Sequence, residues 1–183
     1  MDYLRYYLNC LLPLAAIAGF VLDGPWVWLG IATFVPLLVA DALSPQDYAP
    51  RKIKNGALAD LVIYVQMLLV LGTFVAFAWR AHVGFDPALG PIQPWLASAP
   101  ALIWIGLVAN VGAAHELMHR HNALAAVIGK LGFGIIGAPN RDISHTVTHH
   151  LYFDTERDFD TAQRGESVYR FVPRCIIGNT RDE

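Results

Sequence analysis

Charge is what this chain of 183 residues has least of. Lys and Arg number 13, Asp and Glu 15, together 15% of the sequence, where a soluble domain carries about a quarter. The shortage is uneven: residues 1–115 hold 11 charged side chains and residues 116–183 hold 17. An apolar N-terminal part therefore feeds a polar C-terminal part, and a soluble domain throughout is excluded. Net charge is -2 with no basic stretch, so no nucleic-acid partner is expected. Two cysteines, Cys10 and Cys175, are too few for a disulfide framework. Cys10 sits in an apolar run, where it reads as a small hydrophobe. No internal repeat or low-complexity segment is visible.

What fills the first part is uncharged sequence. The runs are Tyr6–Leu22, Gly24–Ala40, Leu61–Trp79, and Pro87 to His115. A membrane span needs roughly 20 mostly apolar residues. The first two runs are short, and Asp23-Gly24-Pro25 between them reads as a tight turn, so they form a helical hairpin. The third is a good span. In the fourth, Pro87, Pro91, Pro94 and Pro100 crowd the start, which puts the helix start near Trp95. Tyr6, Tyr7, Trp26, Trp28, Trp79 and Trp95 stand at run ends, where interfacial aromatic belts lie. Asp23-Gly24-Pro25 is a poor signal-peptidase site and a second apolar run follows at once, so the first run reads as retained.

Arg51, Lys52 and Lys54 lie between the second and third runs, against Arg80 and His82 between the third and fourth. The positive-inside rule places the 41–57 loop in the cytoplasm, and with it everything after Ala114. Leu124–Ala138 is apolar but holds Lys130 and four glycines, and reads as an interfacial or re-entrant segment. The tail 154–183 reads as a polar cytosolic surface. The expected fold is all-α: a polytopic membrane helical bundle of about four transmembrane helices in residues 1–114, then a cytoplasmic histidine-box region in residues 115–183.

Six of the seven histidines fall between positions 115 and 150, in two boxes: His115-Glu-Leu-Met-His119-Arg120-His121 and His145-Thr-Val-Thr-His149-His150. Residues i and i+4 share a helical face, so His115 and His119 reach one metal ion. His121 is offset by more than half a turn. As a ligand it needs either a helix end near Arg120 or a second ion. His145 and His149 repeat the one-face spacing, with His150 pointing sideways toward another centre, which favours two ions. Imidazole suits zinc, iron, copper and nickel, and no cysteine joins the cluster to suggest an iron–sulfur or zinc-knuckle site. Glu116, Asp154, Glu156, Asp158 and Asp160 are candidates to orient the rings. His82 reads as a solvated loop residue. Gln66 and Asn110 read as packing contacts between helices. Gly106, Ala109, Gly112, Ala113 and Ala114 on the fourth helix allow either a substrate channel or close helix packing. His115-Glu116-x-x-His119 alone also fits a membrane zinc protease with Glu116 as base, a reading that leaves the second box unexplained.

The two boxes, with Thr161-Ala-Gln-Arg164-Gly165-Glu166-Ser167-Val-Tyr-Arg-Phe171 beyond them, resemble the integral-membrane alkane 1-monooxygenases. These belong to the membrane fatty-acid desaturase/hydroxylase superfamily, which also holds xylene monooxygenases. The resemblance covers the chain from about Asp41 onward. It implies a six-helix membrane fold with a non-haem di-iron centre on the cytoplasmic side of the inner (plasma) membrane. It also implies O₂-dependent hydroxylation of terminal methyl groups of alkanes or similar chains, with fatty-acid desaturation or hydroxylation as the alternative within the superfamily. Rubredoxin and its reductase are the implied electron donors. His115, His119, His145, His149 and His150 carry over as iron ligands, whereas His121 matches no box position firmly. Thr148 stands where the family usually has glycine, and residues 152–158 are atypical. The family has a third histidine box, and none precedes Glu183. A fragment or a truncated gene product, inactive alone, is the expectation.

Overall fold

The computed structural model describes residues 2–46, 48, 53–139 and 141–182. It is all-helical, with no strand among the described residues. Four helices are long and apolar enough to cross a membrane: α1 (Leu4–Leu22), α2 (Gly24–Leu43), α3 (Gly56–Val83) and α4 (Gln93–Met118). After them come α5 (Ala123–Ile135), α6 (residues 141–152) and α7 (Val168–Asp182). Two compact units divide between Ala113 and Ala114, inside α4. Arg51 and Lys52, which set the expected orientation, lie outside the described residues.

In the first unit the hairpin forms where the sequence places it. Asp23 and Gly24 both take positive φ (59° and 54°), which reverses the chain, and Pro25 starts α2 with its fixed φ. Arg80 of α3 locks the turn. Its Nε donates to the Phe20 carbonyl (2.7 Å), Nη2 to the Val21 carbonyl (3.0 Å), and Nη1 pairs with Asp23 (3.0 Å). The carbonyls left open at the end of α1 are thereby satisfied.

Two boundaries differ from the sequence expectation. Helix α3 outruns its apolar core at both ends. Asn55 caps it by accepting from the Leu58 N–H, and Gly84 (φ 91°) ends it. His82 is therefore exposed on the last helical turn rather than in a loop. Helix α4 starts at Gln93 with Pro94 in its first turn, and it runs through Pro100 instead of beginning beyond the prolines. Proline is tolerated inside spanning helices when neighbours satisfy the freed backbone groups.

The packing is that of a membrane bundle. Leu12, Ala16, Phe20, Val70, Ala76, Ile105 and Ala109 form the buried cluster. Large apolar side chains face outward; Leu68 and Val75 are each 68% exposed, which suits lipid rather than water. Two polar contacts inside run from helix to helix. Gln66 donates to the Ala109 carbonyl, and the Trp104 indole donates to Thr33 Oγ1 at 3.0 Å. The Ala109 carbonyl belongs to a π-helical stretch, Ile105–Asn110, where the regular hydrogen-bond ladder is interrupted.

Candidate metal centre

In the second unit, the end of α4 presents His115 and His119 one turn apart, with their Nε2 atoms 3.2 Å from each other. Helix α5 packs on this same turn. Asn122 caps α5 by accepting from the Ala125 N–H at 2.8 Å. Gly129 then lies so close that a Cβ there would stand 2.8 Å from the Ala114 carbonyl oxygen and 2.9 Å from the Met118 nitrogen. Lys130 of α5 pairs with Asp142 of α6 at 2.7 Å, linking α5 to the second box.

The middle of α6, Ser144–His149, is π-helical, and the His150 N–H donates to the His145 carbonyl five residues back. A π-turn brings residues five apart onto one side. His145 and His150 accordingly meet, their Nε2 atoms 3.3 Å apart. This corrects the pairing expected from α-helical spacing, in which His150 pointed away. His149 instead stacks on His145, with centroids 4.9 Å apart and planes 21° apart. The two boxes converge: ring centroids are 4.5 Å apart for His115 and His145 and 4.9 Å for His119 and His150. One ligand nitrogen each from His115, His119 and His145 lies within 4.8 Å of the others. His121 is exposed beyond the end of α4 and is not part of that group.

This donor set fits a metal ion. At a metal–nitrogen distance of about 2.1 Å, two neighbouring ligand nitrogens stand about 3.0–3.4 Å apart. The pairs His115/His119 and His145/His150 both have that spacing. Burial, and repulsion from His145, His119 and His149, push the His150 pKa down, which favours the neutral ring that binds a cation.

Two carboxylates stand behind the rings. Asp158 Oδ1 lies 2.9 Å from His149 Nδ1, and Asp160 Oδ2 lies 3.4 Å from His145 Nδ1. Asp158 is held by the hydroxyl of Thr161 and the N–H groups of Asp154 and Asp160. Burial works against its ionisation, but these hydrogen bonds and the one from His149 outweigh it and keep its pKa low. Asp160 receives both ends of the Arg141 guanidinium (2.9 and 2.6 Å) and Asn179 Nδ2 (2.6 Å). Its burial is likewise outweighed, and its pKa falls far below the carboxylate range. The other sequence candidates are elsewhere. Glu116 pairs with Arg120 at 2.9 Å, and Asp154 and Glu156 are exposed. Cys175, beside Asp160, has its thiol pushed up to about 11 by burial and by that carboxylate.

Sequence reasoning missed Arg141 and Asn179 and gave Thr161 no role at the site. None repeats at a helical or box spacing, and Arg141 and Asn179 each lie 19 residues from the carboxylate they hold. The Arg164-Gly165-Glu166-Ser167 stretch has a structural part as well. Glu166 takes the Arg174 fork at 2.8 and 2.7 Å, which draws its pKa down to about 2, and Arg174 also donates to the Thr161 carbonyl. The loop bearing Asp158 and Asp160 is thereby tied to α7.

Residues 93–182 match the fatty acid desaturase family. Over 182 residues, all of this chain, it is 38% identical to the xylene/toluene monooxygenase hydroxylase component XylM of Pseudomonas putida, covering 49% of that protein. It is 28% identical to alkane 1-monooxygenase 1 of Pseudomonas aeruginosa, over 82% of this chain and 39% of the relative. With alkane 1-monooxygenase of Ectopseudomonas oleovorans it shares 26% identity over 83% of this chain and 37% of the relative. The chain thus spans about half the length, or less, of the curated relatives it matches. No solved structure matches it. With four apolar helices and two converging histidine boxes, the chain is a multi-pass membrane protein that carries a fatty acid desaturase family domain over residues 93–182, and alkane and xylene monooxygenases are among its relatives.

Proposed function

We propose that this chain carries the histidine centre of a membrane non-haem di-iron monooxygenase that hydroxylates methyl groups of lipophilic hydrocarbons with O₂. The observation that carries the reading is the convergence of His115, His119, His145, His149 and His150 from two separate boxes. Four of them form two close Nε2 pairs, His115/His119 and His145/His150, which supports two ions rather than one. The names of the relatives span xylene or toluene and alkanes, whose common feature is a methyl group on an apolar body. One oxygen atom enters a C–H bond and the other leaves as water, with two electrons and two protons supplied from outside. Iron bound here would supply the O₂ activation that no amino-acid acid or base can provide for such a bond. The residues of this chain hold the ligand rings in orientation, and the apolar helices admit a substrate dissolved in the bilayer.

The cytoplasmic face of the inner membrane is the proposed side for the boxes, from the basic residues between the second and third spans. Rubredoxin and its reductase are the proposed donors, in keeping with the family resemblance. The zinc-protease alternative is weaker, because the carboxylate it needs as base, Glu116, is engaged by Arg120 and the second box has no role in it. Metal analysis tests the choice. Two irons per chain are expected in the full-length protein, reduced in each of His115→Ala, His119→Ala, His145→Ala, His149→Ala and His150→Ala and unchanged in His82→Ala. One zinc per chain with negligible iron would overturn the proposal.

A further inference from the structure

We infer that Asp158 and Asp160 are positioning residues that fix the tautomer and orientation of His149 and His145, and that α7 acts on the centre through Asp160. This rests on the metal-centre reading above.

A neutral imidazole carries one N–H and one lone pair, and only the lone pair binds a cation. An ionised carboxylate can only accept. Asp158 against His149 Nδ1 therefore places the proton there and leaves Nε2 free. Asp160 stands in the same relation to His145. Metal-binding histidines commonly have such a partner. Neither carboxylate is placed to serve as a ligand itself. Both oxygens of Asp158 are taken, Oδ1 by His149 and the Asp160 N–H, Oδ2 by Thr161 and the Asp154 N–H. In Asp160, Oδ1 receives Arg141, Asn179 and the Cys175 thiol, and Oδ2 receives Arg141 and His145. A carboxylate held on every side cannot rotate, so neither can the ring it holds.

The two supports differ in origin. Those of Asp158 are local, from residues 154–161. Those of Asp160 come from Arg141, just ahead of the π-turn, and from Asn179 and Cys175 on α7. One side chain thus conveys the placement of α7 to His145. Asparagine at 160 meets a conflict in either orientation of its amide, because its NH₂ must face an Arg141 donor whichever oxygen it replaces.

Cobalt(II) titration of the full chain in detergent, followed by its visible absorption, tests this alongside thermal melting. Asp158→Asn and Asp160→Asn are expected to weaken cobalt binding on the order of ten- to a hundredfold and to alter the spectrum. Asn179→Ala, which touches no imidazole, should weaken it in the same direction by a smaller factor. His82→Ala, at an exposed position on the last turn of α3, should leave affinity and spectrum as in the wild type. Should Asp160→Asn fail to fold, Asn179→Ala decides. Folded Asp158→Asn and Asn179→Ala proteins with wild-type affinity and spectrum would overturn the positioning role alone. A wild-type chain that takes up no cobalt would overturn the metal-centre reading itself.

Discussion

Gly129→Ala should loosen the second unit, although alanine is the better helix former. The glycine lies inside α5, where exchange for alanine in open surroundings gains about 0.5–1 kcal/mol. At this position the new Cβ would stand 2.8 and 2.9 Å from backbone atoms of Ala114 and Met118. Backbone cannot swing aside as a side chain can, so α5 must retreat by about 0.5 Å to reach ordinary contact. Overpacking of this kind costs about 1–3 kcal/mol. The net loss is about 1–2 kcal/mol, or about 2–8 °C in melting temperature for a chain of this size. Gly134, on the same helix, has open space where a Cβ would stand, with nothing within 4 Å, and Gly134→Ala should raise the melting temperature by a few degrees, up to about 4 °C. Circular dichroism melts in one detergent compare the three proteins directly. Cobalt uptake should fall in Gly129→Ala as well, because the turn pushed away carries His115. If Gly129→Ala melts with Gly134→Ala or above it, the close approach of α5 to the first box does not exist.

Arg80→Ala should open the α1–α2 hairpin at a cost of about 2–3 kcal/mol, because two carbonyls and a largely buried Asp23 lose their shared donor; a melt no lower than the wild type would refute this. Acid should loosen the attachment of α7. The folded pKa of Glu166 is about 2 against an ordinary 4.5, so its contribution is complete above pH 4.5 and is lost as pH falls toward 2. Glu166→Gln should remove that part of the pH dependence in melts between pH 5 and pH 2.

The spans were legible because a bilayer demands long uncharged runs, and nothing else in the chain imitates them. Asp23-Gly24-Pro25 was legible as a turn because charge, positive φ and fixed φ coincide there. The boxes were legible as a candidate metal site from their spacing, since five close imidazoles suit a ligand shell. The partners of the rings were less so. Among five candidate carboxylates, only the i,i+4 relation of Glu116 to Arg120 carried a local signal, and it removes Glu116 from the set. Asp158 and Asp160 are chosen by tertiary contacts across 9 to 19 residues, which leave no period in the sequence. The π-turn was hidden for a related reason. One extra residue per turn is invisible to a pattern of apolar spacing, yet it decides which histidines meet.

That extra residue can be removed, which makes the π-turn testable. A π-turn is an α-helix with one residue inserted. Val147 sits within it and is 54% exposed, so its deletion sacrifices little packing. Without it the stretch closes to an α-helix. His145 and His150 then become four apart and still share a face, while the 153–167 loop absorbs the shift. Cobalt affinity should fall by no more than about tenfold, the lower end of the loss seen when ring orientation is disturbed. Inserting one alanine after Val147 has the opposite effect. It places the same two histidines six apart, where neither an α- nor a π-turn brings them together, and cobalt uptake should be lost. Had His145 and His149 been the working pair, at their four-residue spacing, the deletion would bring them to three apart and the insertion to five, and neither change would single out His150. A deletion as damaging as the insertion would therefore refute the pairing of His145 with His150.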